Sequence, residues 1–213
     1  MRNPEKENKE KERILNHITH KFQAEGFYKT SMDEIAGDLR VSKKTIYKYF
    51  PSKDELLETI CLNSYEDIIS KINMIITGSG DVIYKIVKIV YIYSKFSLNL
   101  SEKWISDLRI HSPHITNNLI TKRNMAVSEI FEKLLVQGKK EKLFENYPAS
   151  IIINAFNATF NSLLHTEFIM NNKFSLLEAS KYTFDILFNG ILTQKGREKY
   201  QKTKKYIGKE IKL

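Results

Sequence analysis

A single cysteine, Cys61, stands among 213 residues, so no intrachain disulfide can form and a disulfide-stapled scaffold is excluded. Proline is scarce as well. Its four positions, Pro4, Pro51, Pro113 and Pro148, all fall at predicted helix boundaries, as an all-α chain requires. No apolar run is long enough to span a bilayer. The most apolar long stretch, Val82 to Phe96, is broken by Lys85, Lys88 and Lys95 and reads as a buried helix. The first dozen residues are charged and hold no apolar segment, so a leader peptide is not expected and a reducing, cytoplasmic setting is. Alternating strand patterns and hairpin dipeptides are missing. So are a Gly-rich phosphate loop, CxxC, HExxH and a nucleophile elbow. Catalysis and cofactors are therefore not expected. His17 and His20 lie three apart on one predicted helix but have no third ligand, so no metal site is expected.

Positive charge is abundant but uneven. The net charge is +9. Residues 1–53 carry 12 Lys and Arg against 8 Asp and Glu, residues 195–213 carry 8 against 2, and the remaining 141 residues carry 14 against 15. A neutral body with basic ends suits a protein that meets nucleic acid at one end. Hydrophobic content of 42% suffices for a core.

The stretch from Ser31 to Lys53 (SMDEIAGDLRVSKKTIYKYFPSK) organises the rest. Ser31 stands three residues before Glu34 and Ser52 three before Glu55, the spacing of capping boxes. Ser42 can N-cap a short helix between them. Met32, Ile35, Ala36 and Leu39 form a buried stripe on a helix over 32–39. A second helix over 43–50 turns Ile46, Tyr49 and Phe50 inward and Lys43, Lys44, Tyr47 and Lys48 outward. Two short helices and a tight turn make a helix-turn-helix. From Arg40 to Lys53 there are five basic residues and no acidic one, which suits a phosphate backbone, with Ser42, Thr45, Tyr47 and Tyr49 as neutral donors.

Residues 11–60 (KERILNHITHKFQAEGFYKTSMDEIAGDLRVSKKTIYKYFPSKDELLETI) resemble the DNA-binding domain of the TetR/AcrR family of repressors. The match runs through Ile14, Leu15, Phe22, Gly26, Phe27, Thr30, Ser31, Met32, Ile35, Ala36, Val41, Ser42, Thr45, Tyr47, Phe50, Lys53, Leu56 and Leu57. The family often has Gly at the position of Arg40, so Arg40 is expected in a left-handed conformation at some cost. It often has Gly or Pro where Lys44 stands, which adds a long cation here. The resemblance implies that Thr30, Ser31, Tyr47, Tyr49 and Lys53 hold phosphates while Lys43, Lys44, Thr45 and Lys48 meet base edges.

Beyond this region the chain reads helical throughout. Helices are expected at about 52–77, 81–99, 102–111, 115–137 (closed by Gly138), 148–171 and 175–194, the last opened by a Ser175–Glu178 capping box. The last two are apolar on more than one side. Ile153, Phe160, Leu164, Phe184, Leu187, Phe188 and Ile191 are candidates for a twofold seam in which this helix pair meets its own copy, and the resembled family dimerises in this way. Tyr91, Phe96, Trp104, His111 and Met125 are candidates to line an effector pocket. So are Asn157, Asn161 and His165, which with Asn154 form a polar stripe on an otherwise apolar helix.

The expectation is an all-α chain of about nine helices. It comprises a flexible arm (1–10), a three-helix helix-turn-helix DNA-binding domain (11–53), a helical effector-binding and dimerisation domain (54–195) and a basic tail (196–213) read as solvated and partly helical. Its expected role is a homodimeric transcriptional regulator, a repressor released from a palindromic operator in double-stranded DNA by a small apolar effector, with no membrane partner. The alternative is a helical dimer that binds DNA or another partner without an effector.

Overall fold

The computed structural model describes residues 4–163 and 175–210. Ten helices account for nearly all of them: α1 (Pro4–Glu25), α2 (Met32–Leu39), α3 (Lys43–Tyr49), α4 (Lys53–Thr77), α5 (Val82–Leu98), α6 (Glu102–His111), α7 (Pro113–Lys140), α8 (Ala149–Leu163), α9 (Leu176–Ile191) and α10 (Gln194–Glu210). The chain forms two compact units. Unit 1 comprises the residues up to Glu66 together with Asn99–Leu119; unit 2 comprises Asp67–Leu98 and the described residues from Ile120 onward. Helices α4 and α7 contribute to both.

Unit 1 is built around the stripes anticipated from spacing. Ile14, Ile18 and Phe22 of α1 meet Met32, Ile35, Ala36 and Leu39 of α2, Ile46 of α3, and Leu56, Leu57, Ile60 and Cys61 of α4. Burial pushes the Cys61 thiol up to about 12, so it behaves as a small hydrophobe, not a nucleophile. The unit extends further than residues 11–53. Trp104 and Leu108 of α6 and Ile115 of α7 belong to the same core, and Trp104 packs edge-on against Phe27 at 5.9 Å. Trp104 is thus a core residue of unit 1 rather than a pocket wall in the body. Sequence spacing could not show this, because its partners lie some eighty positions away.

Helix α1 begins at Pro4, where a flexible arm was expected. Proline fits a first turn because its missing N–H has no intrahelical use there, and Glu5 and Glu7 in that turn favour the helix dipole. At its far end Gly26 takes φ +81° and stops the helix. A methyl group there would also meet Asp107 Oδ2 at 2.5 Å. That carboxylate accepts the backbone N–H groups of Phe27 and Tyr28, each at 2.9 Å. From the other side Lys53 Nζ donates to the carbonyls of Thr30 (2.8 Å) and Tyr28 (3.3 Å). Two opposite charges therefore clamp the turn that leads from α1 into the helix-turn-helix.

Unit 2 has an aromatic centre. Phe131 of α7, Phe156 of α8, Phe188 of α9 and Tyr200 of α10 form a chain of ring contacts between 4.1 and 6.1 Å. Phe160, Phe184 and Ile191 are buried in the same cluster. Helix α7 runs past Gly138 to Lys140, because Lys142 (φ 57°) supplies the left-handed stop. Gly138 serves packing instead: a Cβ there would lie 2.5 Å from the Phe144 ring. Residues 194–210 form a docked helix, not a solvated tail. Tyr200 and Ile207 are buried, Lys204 and Tyr200 converge on Asp185 at 2.6–3.0 Å, and Lys199 pairs with Asp81 at 2.9 Å. The basic composition concealed an amphipathic face with only two deeply buried apolar residues.

Candidate nucleic-acid interface

Helix α2 is capped by Ser31, whose side chain accepts the Glu34 N–H at 3.1 Å. The reciprocal half of the expected capping box is displaced: the Glu34 carboxylate turns to Lys21 at 2.7 Å, which also holds Asp38 at 2.7 Å. The complete box occurs at Ser175–Glu178. Arg40 ends α2 with φ 53°, ψ 43°, and Val41 N–H reaches back to Ala36 O at 3.0 Å, the Schellman closure. A non-glycine residue pays about 1 kcal/mol for that conformation. Ser42 then caps α3, accepting Thr45 N–H at 3.0 Å and sharing a hydroxyl contact with Thr45 at 2.8 Å.

Ile46 is fully buried in unit 1 and Phe50 nearly so, which fixes the rotation of α3 about its axis. Lys43, Lys44, Tyr47 and Lys48 consequently lie exposed on its outer side. The absence of acidic residues between 40 and 53 does not mean absence of acid in space. Lys43 pairs with Asp33 of α2 at 2.8 Å and Lys48 with Glu7 of α1 at 2.5 Å. Each lysine is held above its ordinary value by that carboxylate. The Tyr49 hydroxyl, also shifted up, donates to Glu10 at 2.6 Å. Such exposed pairs are weak because water screens them, so a phosphate can displace them. Lys44, the departure from the family pattern, makes no ion pair among the described residues.

Two residues assigned to phosphates have other work. Thr30 is buried, its hydroxyl donating to Gly26 O at 3.1 Å. Lys53 has two of its donors on carbonyls and its ammonium 5.8–5.9 Å above the Phe27 and Phe22 rings, and burial lowers its proton affinity. Both bond the turn between α1 and α2. Asp107, the third member of this clamp, carried no sequence signal, because its function exists only where α6 meets the turn.

Residues 14–60 match the family model described as "Bacterial regulatory proteins, tetR family". The fold agrees over nearly the whole chain: a transcriptional regulator of the TetR/AcrR family from Thermobifida fusca aligns at a TM-score of 0.65 and 20% identity, covering 85% of this chain and 98% of that one. Residues 14–60 carry the DNA-binding domain of the TetR family. Among relatives, the HTH-type transcriptional regulator YvaF of Bacillus subtilis is 25% identical over 84% of this chain and 94% of its own length. The nucleoid occlusion factor SlmA of Photorhabdus laumondii is 27% identical over 70% of this chain, and the match spans 66% of that relative's length. This is a TetR-family DNA-binding transcriptional regulator. Among its described residues no helix is long and apolar enough to cross a membrane.

In this TetR-family chain the body candidates separate. His111 joins unit 1, stacked on Tyr28 at 3.5 Å, so like Trp104 it is not part of the body. Met125 is exposed. Tyr91 is half-buried with Lys95 over its ring, and Phe96 packs partly buried on the unit 2 core. Asn157 and Asn161 turn toward the unit 2 interior, and Asn161 accepts a bond from Arg123 of α7. His165 and Leu164 lie outside the described residues. Of the seam candidates, Phe160, Phe184, Phe188 and Ile191 are buried within one chain's own core, which removes them from any outer surface. Ile153 and Leu187 are half-buried at its edge. The large apolar residues exposed on α8 and α9, among those described, are Ile151, Tyr182 and Ile186. The inner and outer faces of this helix pair are both apolar in sequence, and the structure places Phe160, Phe184, Phe188 and Ile191 on the inner one.

Proposed function

We propose that this regulator acts as a homodimer that inserts α3 of each subunit into successive major grooves of a palindromic operator and represses from there. The observation that carries the reading is the outward set Lys43, Lys44, Tyr47 and Lys48, held in place by the buried Ile46. Lys44, with Lys43, Thr45 and Lys48, meets base edges. Ser31, Ser42, Tyr47 and Tyr49 contact phosphates. Breaking the Lys43–Asp33, Lys48–Glu7 and Tyr49–Glu10 contacts accompanies binding. The dimer seam uses the outer faces of α8 and α9, where Ile151, Ala155 and Ala158 on one helix and Tyr182, Ile186 and Gly190 on the other lie exposed. Their small residues allow close helix approach and their apolar ones lose water on pairing. A small, largely apolar molecule bound in unit 2 releases the DNA, with α4 as the continuous element shared by both units. A coupling of about 1–3 kcal/mol suffices.

Selection of bound fragments from genomic DNA, followed by gel shifts with competitor at rising salt, tests this. The wild type keeps discriminating as nonspecific attraction is screened. Lys44→Ala changes base preference and Tyr47→Phe weakens all sequences alike. Lys53→Ala leaves the salt slope unchanged, whereas loss of a true phosphate contact lowers it by about 1. Loss of discrimination at raised salt in the wild type overturns the reading.

A further inference from the structure

Unit 2 holds a guanidinium that is only partly satisfied among the described residues. Arg123 of α7 donates through Nη2 to Asn161 Oδ1 on α8 and to Asn124 Oδ1 at 3.1 Å. Its Nε and Nη1 are buried without a hydrogen-bond partner, and so is Oδ1 of Asn157, one turn before Asn161. Among the described residues no carboxylate pairs with this arginine. Burial pulls its proton affinity down, and the group opposing that is Tyr93. Burial pushes the Tyr93 hydroxyl up, and the Ser180 Oγ is buried without a hydrogen-bond partner. The Tyr93 ring stands edge-on to Phe160 at 5.7 Å and to Phe184 at 5.5 Å.

The other buried cation of unit 2 shows what satisfaction looks like. Lys85 donates to Ile76 O at 2.7 Å and to Gln137 Oε1 at 3.1 Å, and Gln137 in turn donates to Glu141 at 2.6 Å. Lys85 therefore has a structural role that is complete within the chain. Arg123 does not. A buried charge without its counterion is among the costliest features a fold can keep, and orphaned polar groups of this kind cluster where a ligand completes them.

We infer that Arg123 anchors the carboxylate of an amphiphilic acid whose apolar body lies against Tyr93, Phe160 and Phe184. A single cation with two orphaned nitrogens matches a monoanion better than a doubly charged phosphate. The Tyr93 and Ser180 hydroxyls supply further donors for the carboxylate oxygens. The ring faces account for the apolar part. This names the effector class and rests on the regulator reading only for the consequence that binding releases DNA.

The test is calorimetric titration of the full chain, without DNA, with straight-chain carboxylates from hexanoate to hexadecanoate, with benzoate, and with the matching alcohols. At least one carboxylate binds about tenfold or more tightly than its alcohol. Arg123→Met abolishes that preference and melts no lower than the wild type, because it removes an uncompensated charge, while Arg123→Lys keeps part of the preference. Equal binding of acids and alcohols by the wild type, or none, overturns the inference. So does a preference that survives Arg123→Met, or a large loss of melting temperature in that variant without ligand. Gel shifts on genomic fragments are run separately. Failure there with an intact carboxylate preference condemns the regulator reading alone, and the converse condemns the anchor alone.

Discussion

Unit 1 pairs Lys21, Lys43 and Lys48 with acids near its surface, whereas unit 2 encloses Lys85 and two nitrogens of Arg123 and, among the described residues, completes the environment of only the first. In unit 1 Lys21 bridges Glu34 and Asp38, Lys43 meets Asp33 and Lys48 meets Glu7. All these pairs are exposed enough for water or phosphate to compete for them. In unit 2 the Lys85 ammonium is enclosed by oxygen acceptors, and the Arg123 guanidinium is enclosed with two nitrogens unanswered. The difference separates two kinds of recognition. A polyanion with charges at regular intervals is met by a loose, exchangeable set of surface cations. A single small anion calls for one fixed cation in a dry setting, where a charge-assisted bond is strong and its absence is costly.

The largest expected effect tests which apolar face of α8 and α9 is internal to one chain. Phe188→Ala removes a ring held against Phe131, Phe156, Phe184 and Tyr200 and lowers stability by about 3–5 kcal/mol. Denaturant melts should show that loss at every protein concentration, because the ring is internal to one chain. Ile186→Lys, by contrast, leaves the subunit folded and lowers its mass in light scattering. If Phe188→Ala acts only by dissociating subunits, the division between inner and outer faces is wrong.

Next in size is the clamp in unit 1. Asp107→Ala strands the N–H groups of Phe27 and Tyr28 and leaves Lys53 without its facing charge, at about 2–3 kcal/mol. The melting temperature drops accordingly, and DNA affinity falls with it because the clamped turn leads directly into α2. An unchanged melting curve would mean that the carboxylate is dispensable to the turn. A smaller effect has the opposite sign. Arg40→Gly relieves a left-handed arginine and raises stability by about 1 kcal/mol, less what glycine gains in the unfolded chain.

The smallest effect is electrostatic. Lys21 lowers the pKa values of Glu34 and Asp38 below their ordinary 4.5 and 3.8. Groups depressed in the folded state contribute stability above their unfolded values and lose it as pH falls through the folded ones. Unit 1 stability is thus level above about pH 5 and declines on acidification. Lys21→Met flattens that acid limb in a series of melts from neutral to acidic pH. An identical limb in the variant would assign acid sensitivity elsewhere.

Local pattern made much of unit 1 legible. The spacing of Ile14, Ile18 and Phe22, the serine caps at Ser31 and Ser42, the stop at Gly26 and the left-handed Arg40 all follow from interactions within a few residues. The rotation of α3 followed too, because Ile46 is the one apolar residue that can point inward between two lysine-bearing turns. What escaped were contacts between distant segments. Trp104 and Asp107 join the DNA-binding unit, Lys53 and Thr30 bond the α1–α2 turn, and residues 194–210 dock through Tyr200 and Ile207. Arg123 escaped for the same reason. It reads as an ordinary basic residue in TKRNMAV until α8 brings Asn161 against it.

By itself, then, the sequence determined that this protein is helical, that it carries a helix-turn-helix near its N-terminus, and which side of α3 faces outward. Hydrogen bonding and burial at spacings of three and four residues suffice for those. Only the tertiary structure decided which face of α8 and α9 is core, where the charged clamp around the α1–α2 turn closes, and which buried cation has no carboxylate paired to it among the described residues. Each of these depends on the distance between groups far apart in the chain, and such distances are set by packing as a whole.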